Sequence, residues 1–103
     1  MARRVGKPAR VADVLPGFLR RAGIAERVAQ AGVVDAWPAL VGDQIARVAA
    51  AETVTADGTL FVRVASAAWR QELSLMTPDI IARINAGRRQ GRVERIRWVL
   101  GHG

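Results

Sequence analysis

The sequence predicts an α+β domain in which helices come first, followed by two strands, two helices and a last strand. Apolar residues alternate with other residues over 59–65, which is the period of a half-buried strand. At Ser66 this period changes to that of a helix, which extends over 67–76. Asp57-Gly58, just before the strand, is a hairpin-turn signal because glycine tolerates a positive φ. An earlier strand should therefore pair antiparallel with 59–65.

Four elements are predicted ahead of this turn. The first is a helix with an apolar stripe, which Pro16 interrupts because proline removes a backbone donor and clashes with the preceding turn. A second helix is predicted over 24–31, with Gly32 as its C-cap. A third, over 35–48, opens on an aspartate N-cap and carries apolar side chains inward. A short strand over 52–55 then leads into the turn.

Three elements are predicted after the turn and its strand. Ser66 is a suitable N-cap for the helix over 67–76, since its hydroxyl can accept from an orphan backbone amide. Thr77 can cap a further helix, with Pro78 at its first position and Asn85-Ala86-Gly87 at its end. If the last strand lies parallel to 59–65, the crossover should be right-handed. Side chains of that strand alternate between two faces, Ile96, Trp98 and Leu100 on one and Arg95, Arg97 and Val99 on the other.

Length and composition predict a basic protein of one domain. The 103 residues suit a mobile basic arm over 1–9 and a single folded domain over 10–101. No apolar run reaches about eighteen residues and no signal peptide is evident, so we expect a soluble, cytoplasmic protein with no membrane partner. The absence of cysteine agrees with a reducing compartment. The net charge of +7 attracts polyanions, which makes nucleic acid the leading partner class.

Two basic segments are candidate phosphate contacts. Such contacts position a nucleic-acid strand without reading its sequence. The alternative is that both segments are solvated, flexible runs of charge. The candidate residues are Arg3, Arg4 and Lys7 in the arm, Arg10 directly after it, and Arg88, Arg89 and Arg92 in the loop before the last strand.

One face of the predicted sheet is a third candidate. Phe61 and Arg63 point away from the apolar side of their strand, and Arg95 and Arg97 do so on the last strand. If these strands are neighbours, an aromatic ring and three guanidinium groups share a face that can stack a base and neutralise phosphates. The more ordinary alternative, which we favour, is that helices cover this face and Phe61 belongs to the core.

The three tryptophans, Trp37, Trp69 and Trp98, lie at apolar positions of their elements, so we expect them in a shared core. A partly exposed Trp37 could instead anchor a partner protein, as aromatic residues do at interface hot spots. We retain Trp37 and Phe61 as candidate contacts for a protein partner.

Enzymatic chemistry has little support in the sequence. There is one histidine, no cysteine, and the acidic residues are scattered singly, so neither a metal site nor a catalytic triad is indicated. No phosphate-binding glycine motif occurs, and we expect no cofactor and no small-molecule substrate. Gly87 and Gly91 form G-x-x-x-G, which differs from the GxxG loop with which a standard KH domain clamps RNA.

Four motifs occur in order along the chain: W-P-A-L-V-G from Trp37, D-G-T-L-F-V-R-V-A-S-A-A-W-R-Q-E-L from Asp57, I-N at Ile84, and the closing V-E-R-I-R-W. Together they resemble the DciA-like family of bacterial replication proteins. The resemblance implies a KH-like, type II-like domain with a three-stranded sheet. It also implies two partners, the replicative DNA helicase and single-stranded DNA.

Two functions remain open at this point. The resemblance implies a non-enzymatic accessory protein that binds the replicative helicase and assists its loading or activity on single-stranded DNA. The alternative is a small basic RNA-binding or ribosome-associated domain with KH-like topology.

Overall fold

A computed structural model describes the backbone of residues 6–101 and the side chains of residues 16–101. The order of elements confirms the α+β class and the predicted succession of two strands, two helices and one strand. The elements are α1 (Gly6–Val41), α2 (Asp43–Ala46), β1 (Ala49–Val54), β2 (Thr59–Val64), α3 (Ala67–Leu75), α4 (Thr77–Asn85) and β3 (Arg95–Leu100).

The three strands form one mixed sheet in the order β1-β2-β3. β1 runs antiparallel to β2, as the hairpin signal predicts, and β3 runs parallel to β2. Gly58 in the turn has a φ of 87°, and a Cβ there would lie 2.7 Å from Cγ of Glu94. β1 begins three residues earlier than the predicted 52, and its register shifts between Ala51 and Thr53. This irregularity is a β-bulge, which bends an edge strand.

The core lies between one face of the sheet and the helices. Leu60, Val62 and Val64 of β2 are fully buried on that face, as their alternation predicts. They form one hydrophobic cluster with residues of α1, α3 and α4 and with half-buried residues of β3. The helical members with the least exposure are Val33, Trp37, Leu73, Ile80 and Ile84.

The first helix differs most from the prediction. Three helices were expected before β1, but α1 is continuous for 36 residues and contains both Pro16 and Pro38. Proline removes one backbone donor, yet its fixed φ near −65° is itself helical, so the chain continues past it. Gly32 lies inside α1 and is not its C-cap. The predictions that Pro16 interrupts this helix and that Gly32 ends one are therefore wrong.

The real break comes at Gly42, whose φ of 91° is outside the helical range. Its N–H donates to the carbonyl oxygen of Pro38 at 2.9 Å, which satisfies one of the last carbonyls of α1. The predicted helix over 35–48 is thus the end of α1 followed by the short α2. Residues 6–9, assigned to the mobile arm from the sequence, are helical, and residues 1–5 lie outside the described part.

The caps of α3 and α4 differ from one another. Oγ of Ser66 accepts a hydrogen bond from the backbone N–H of Trp69 at 3.1 Å, which confirms the predicted N-cap. Thr77 is the first residue of α4 and not its cap, because Met76 takes that position without a side-chain bond. The Thr77 hydroxyl instead donates to the Leu73 carbonyl at 3.3 Å and accepts from Nε1 of Trp98 at 2.9 Å.

None of the described helices combines the length and the apolar character that a membrane crossing requires.

Candidate nucleic-acid interface

The face of the sheet opposite the core carries the candidate interface. β2 and β3 are neighbours, and their register pairs Phe61 with Arg97, Thr59 with Arg95 and Arg63 with Val99. Paired residues of parallel strands point to the same face, so the aromatic ring and the three guanidinium groups lie together as predicted. The favoured alternative, in which helices cover this face, is wrong because the described helices pack on the opposite face.

Phe61 is half-buried and is not a member of the core cluster. Phe61 and Arg97 are register partners on adjacent strands about 5 Å apart, so the guanidinium group of Arg97 is within reach of the ring. Arg97 is exposed, and no hydrogen bond or ion pair links it to another described residue. This pair therefore combines a stacking surface with an available positive charge.

The other two arginines of the face are paired with carboxylates. Nη1 of Arg63 contacts Oε2 of Glu52 on β1, and both side chains are well exposed. Nη1 of Arg95 lies 3.3 Å from Oδ2 of Asp57 and donates to Oγ1 of Thr59 at 2.9 Å. Exposed ion pairs of this kind contribute about 0–1 kcal/mol, so a phosphate can displace the carboxylate.

Glu52 and Asp57 were not identified as part of this surface from the sequence. A signal was present, because Glu52 lies five residues before Asp57 and Arg63 lies five residues after Gly58. A hairpin brings positions at equal distance from its turn close together. The observed register pairs Ala50 with Arg63, but the bulge still leaves Glu52 within contact of Arg63.

Asp57 is also held in its charged form by its own turn. Hydrogen bonds from the side chains of Thr55 and then Thr59 lower its pKa, and the charge of Arg95 lowers it further. The hydroxyl of Thr55 donates to Oδ1 of Asp57 at 2.5 Å, and the backbone N–H of Thr59 lies 3.3 Å from the same oxygen. The turn therefore presents a fixed negative charge beside Arg95.

The arginine-rich loop is tethered to the domain. Nη1 of Arg88 donates to the carbonyl of Ala29 on α1 at 3.2 Å, and Nη1 of Arg92 donates to the carbonyl of Arg88 at 3.0 Å. These two arginines do not form a solvated, flexible run of charge, because their guanidinium groups make hydrogen bonds that hold the loop in place. Arg89 is exposed and has no hydrogen bond to another described residue, so it is the loop's best phosphate candidate.

The arm residues stay a prediction. Arg3 and Arg4 lie outside the described residues, and Lys7 and Arg10 lie on the α1 backbone, where side chains are not described.

Trp37 does not anchor a partner, because only 2% of its surface is exposed. Its indole Nε1 donates to the carbonyl of Ala49 at 2.9 Å, and its ring lies 6.3 Å from that of Trp98. Trp69 and Trp98 are half-buried against the same cluster. The shared tryptophan core is confirmed, and the prediction of a partly exposed Trp37 is wrong.

Among the side chains described over 16–101, no three histidine, cysteine or acidic residues come together as metal ligands would. The sequence prediction of no metal and no cofactor rests on composition and stays a prediction.

Comparison with known proteins identifies the class of this chain. A family model described as "Dna[CI] antecedent, DciA" matches residues 10–98. The chain belongs to the DciA family, which confirms the resemblance of its motifs.

Several relatives are proteins called UPF0232. The chain is 38% identical over 73 residues to one from Streptomyces coelicolor, covering 70% of this chain and 38% of that relative. It is 34% identical over 79 residues to one from Mycolicibacterium smegmatis, covering 77% of this chain and 40% of the relative. The match to one from Mycobacterium tuberculosis is 39% over 67 residues, 65% of this chain and 35% of the relative. The chain thus spans about two fifths of the length of these relatives.

Proposed function

We propose that this chain is a non-enzymatic replication accessory protein that binds the replicative DNA helicase and assists its loading or activity on single-stranded DNA. The observation that carries the proposal is the match to the DciA family over residues 10–98. The family is described as the antecedent of the DnaC and DnaI proteins, and a helicase-loading role follows from that description.

The open face of the sheet supports the DNA part of the proposal. Phe61 offers a ring on which one base can stack, and stacking on an aromatic side chain contributes about 1–3 kcal/mol. Arg97 lies beside that ring and is free to neutralise the adjoining phosphate. Contacts of this kind hold a strand without selecting a sequence, which suits a protein that acts wherever a helicase is loaded.

Arg63 and Arg95 extend the basic surface to either side of Phe61. In the free domain each of them faces a carboxylate, Glu52 or Asp57. An incoming strand replaces these two weak ion pairs with phosphate contacts. We therefore expect moderate affinity and a strong dependence on salt, since each phosphate contact releases condensed counterions.

Unwinding by the cognate helicase tests the proposal. The substrate is a DNA fork whose single strand is coated with single-strand binding protein, and the helicase is added with or without this chain. We expect stimulation by the chain, weaker stimulation by a Phe61→Leu, Arg97→Ala variant, and normal stimulation by Arg70→Ala, which removes an exposed arginine from α3.

Two results would contradict the proposal in different ways. If the chain neither binds the helicase nor stimulates it at any concentration, the helicase assignment is wrong. If it stimulates and the sheet-face variant is as active as the wild type, helicase docking stands and the DNA path lies elsewhere. Preference for RNA over single-stranded DNA, without helicase binding, would favour the alternative RNA-binding function.

A further inference from the structure

The middle of α1 exposes an apolar stripe that borders the turn between β1 and β2. Within residues 16–101, the first fully buried residue of α1 is Gln30, so the turns before it extend beyond the core. Ile24 is 57% exposed and Val28 is 67% exposed, and both border a shallow groove that also includes Ala31 and Ala56. Ile24, Val28 and Ala31 lie at i, i+4 and i+7, within about 60° of one another around the helix axis.

Arginines flank this stripe on both sides. At about 100° per residue, Arg21 lies on one edge of the stripe, and Arg20 and Arg27 lie on the other. All three residues are exposed, and Nη1 of Arg27 also donates to the carbonyl of Val54 on β1 at 3.0 Å and to Oε1 of Gln30 at 2.5 Å. Between residues 16 and 31 the only carboxylate is Glu26, which also lines the groove and accepts from the N–H of Gly91 at 3.0 Å. The stripe therefore combines an apolar centre with positive borders.

We propose that this stripe, formed by Ile24, Val28 and Ala31 and bordered by Arg20, Arg21 and Arg27, docks an amphipathic helix with acidic borders on the replicative helicase. The inference rests on the proposed function and adds to it the surface and the chemistry of the partner segment. Apolar anchors at i, i+4 and i+7 match the ridge that one helix presents to another. Acidic residues beside the partner's apolar ridge would complement the three arginines.

Charge and side-chain chemistry distinguish this occupant from two others. A second copy of the chain would bring the same three arginines against these, which opposes self-association. Single-stranded DNA would find phosphate contacts here, but the stripe itself is aliphatic, and the exposed ring of Phe18 lies about 120° around the helix axis from Ile24. The open sheet face, with Phe61, is the better DNA surface.

Binding to the purified helicase tests the proposal, with the full chain in every case. The stripe variant is Ile24→Ser, Val28→Ser, and the charge variant is Arg20→Glu, Arg21→Glu. The matched control is Leu75→Ser, because Leu75 is 72% exposed and lies at the end of α3, away from the stripe. Circular dichroism and thermal unfolding establish that each variant is folded.

We expect the stripe variant to raise the dissociation constant for the helicase about tenfold or more, since two apolar anchors are lost. The charge variant should weaken binding at low salt and approach the wild type at high salt, while Leu75→Ser should change affinity less than about twofold. A photo-crosslinking phenylalanine analogue in place of Val28 should label a helix of the helicase that is rich in Asp and Glu.

Results that contradict this proposal can be distinguished from results that contradict the proposed function. If the wild type binds the helicase and the stripe variant binds equally well, the stripe is not the docking surface although the proposed function stands. A crosslink from position 28 to a second copy, or to single-stranded DNA, overturns the helical partner. If the wild type does not bind the helicase at all, the proposed function fails and this inference fails with it.

Discussion

Asn85 and Val93 are joined by two hydrogen bonds that close the arginine-rich loop. Nδ2 of Asn85 donates to the carbonyl of Val93, and the N–H of Val93 donates to Oδ1 of Asn85, each at 2.8 Å. Both residues are buried, with Asn85 at 9% exposure and Val93 at 1%. One amide side chain thus supplies both hydrogen-bond partners of the Val93 backbone, two residues before β3 begins at Arg95.

Replacing Asn85 by Leu should destabilise the domain by about 2–4 kcal/mol, because a buried N–H and a buried C=O of Val93 lose their partners. Asn85→Asp should also destabilise it, since a carboxylate cannot donate to the carbonyl of Val93. Urea unfolding measures both. Gln90→Ala, in the exposed part of the same loop, is the control and should change stability by less than about 0.5 kcal/mol.

Comparing substitutions at Gly91 and Gly87 distinguishes the cost of backbone strain from the cost of a steric clash. Both have a positive φ, 67° and 73°, but a Cβ at Gly91 would lie 2.6 Å from the carbonyl carbon of Ala29, whereas Gly87 has no atom within 4 Å. Gly87→Ala should therefore cost only about 1–2 kcal/mol of left-handed strain. Gly91→Ala should cost clearly more, because the loop must also move away from α1. If thermal unfolding gives equal losses of stability for Gly87→Ala and Gly91→Ala, the close contact between Gly91 and α1 has no energetic effect, which would contradict this account.

Trp37→Phe should destabilise the domain by about 1–3 kcal/mol, since it keeps an aromatic ring and removes the donor to the buried carbonyl of Ala49. Trp69→Phe is the matched control. Trp69 is half-buried, and no hydrogen bond from its indole to a described residue is present. Urea denaturation of the two variants should give a larger loss for Trp37, and an equal loss would contradict the role of its hydrogen bond.

Asp57 should make stability depend on pH in the acid range. Its pKa is lowered in the folded state, chiefly by the hydrogen bonds from Thr55 and Thr59, so the folded domain favours the charged form. The resulting stabilisation is present above the unfolded-state pKa of about 3.9 and is lost as pH falls through the folded pKa. Urea unfolding from pH 6 to pH 2 should therefore show a loss of stability in the wild type that is smaller in Asp57→Asn. Parallel profiles would contradict this role.

The sequence predicted correctly those parts of the fold that depend on hydrophobic periodicity and on short-range turn and capping signals. The alternation in β2, the cap at Ser66 and the turn at Gly58 are local signals, and the structure confirms each of them. Pro16 and Gly32 also gave strong local signals, but α1 continues through both. In the second half of α1, Val33 and Trp37 are buried on one continuous face of the helix. The free energy of this packing, which depends on the tertiary structure, outweighs the low helix propensity of glycine at position 32.

For the candidate interface too, the sequence predicted the features that follow from local alternation and missed those that depend on the tertiary structure. Alternation placed Phe61 and Arg97 on one face, but only the strand order showed that they are neighbours and that the face is open. The partners of Arg63 and Arg88 depend on a β-bulge and on the approach of α1, which no short-range pattern encodes. Asn85 was recognised as a motif residue, yet its partner Val93 lies across an irregular loop.

The salt dependence of single-stranded DNA binding tests the open-face interface most directly. Fluorescence anisotropy of a labelled oligonucleotide, measured across a range of salt concentrations, gives the slope of log affinity against log salt. If the three arginines of the face contact phosphates, the slope should be near −2, and Arg97→Ala should make it shallower by about 0.7. Arg70→Ala should leave the slope unchanged. A flat salt response, or an equal effect of the two substitutions, would contradict the account.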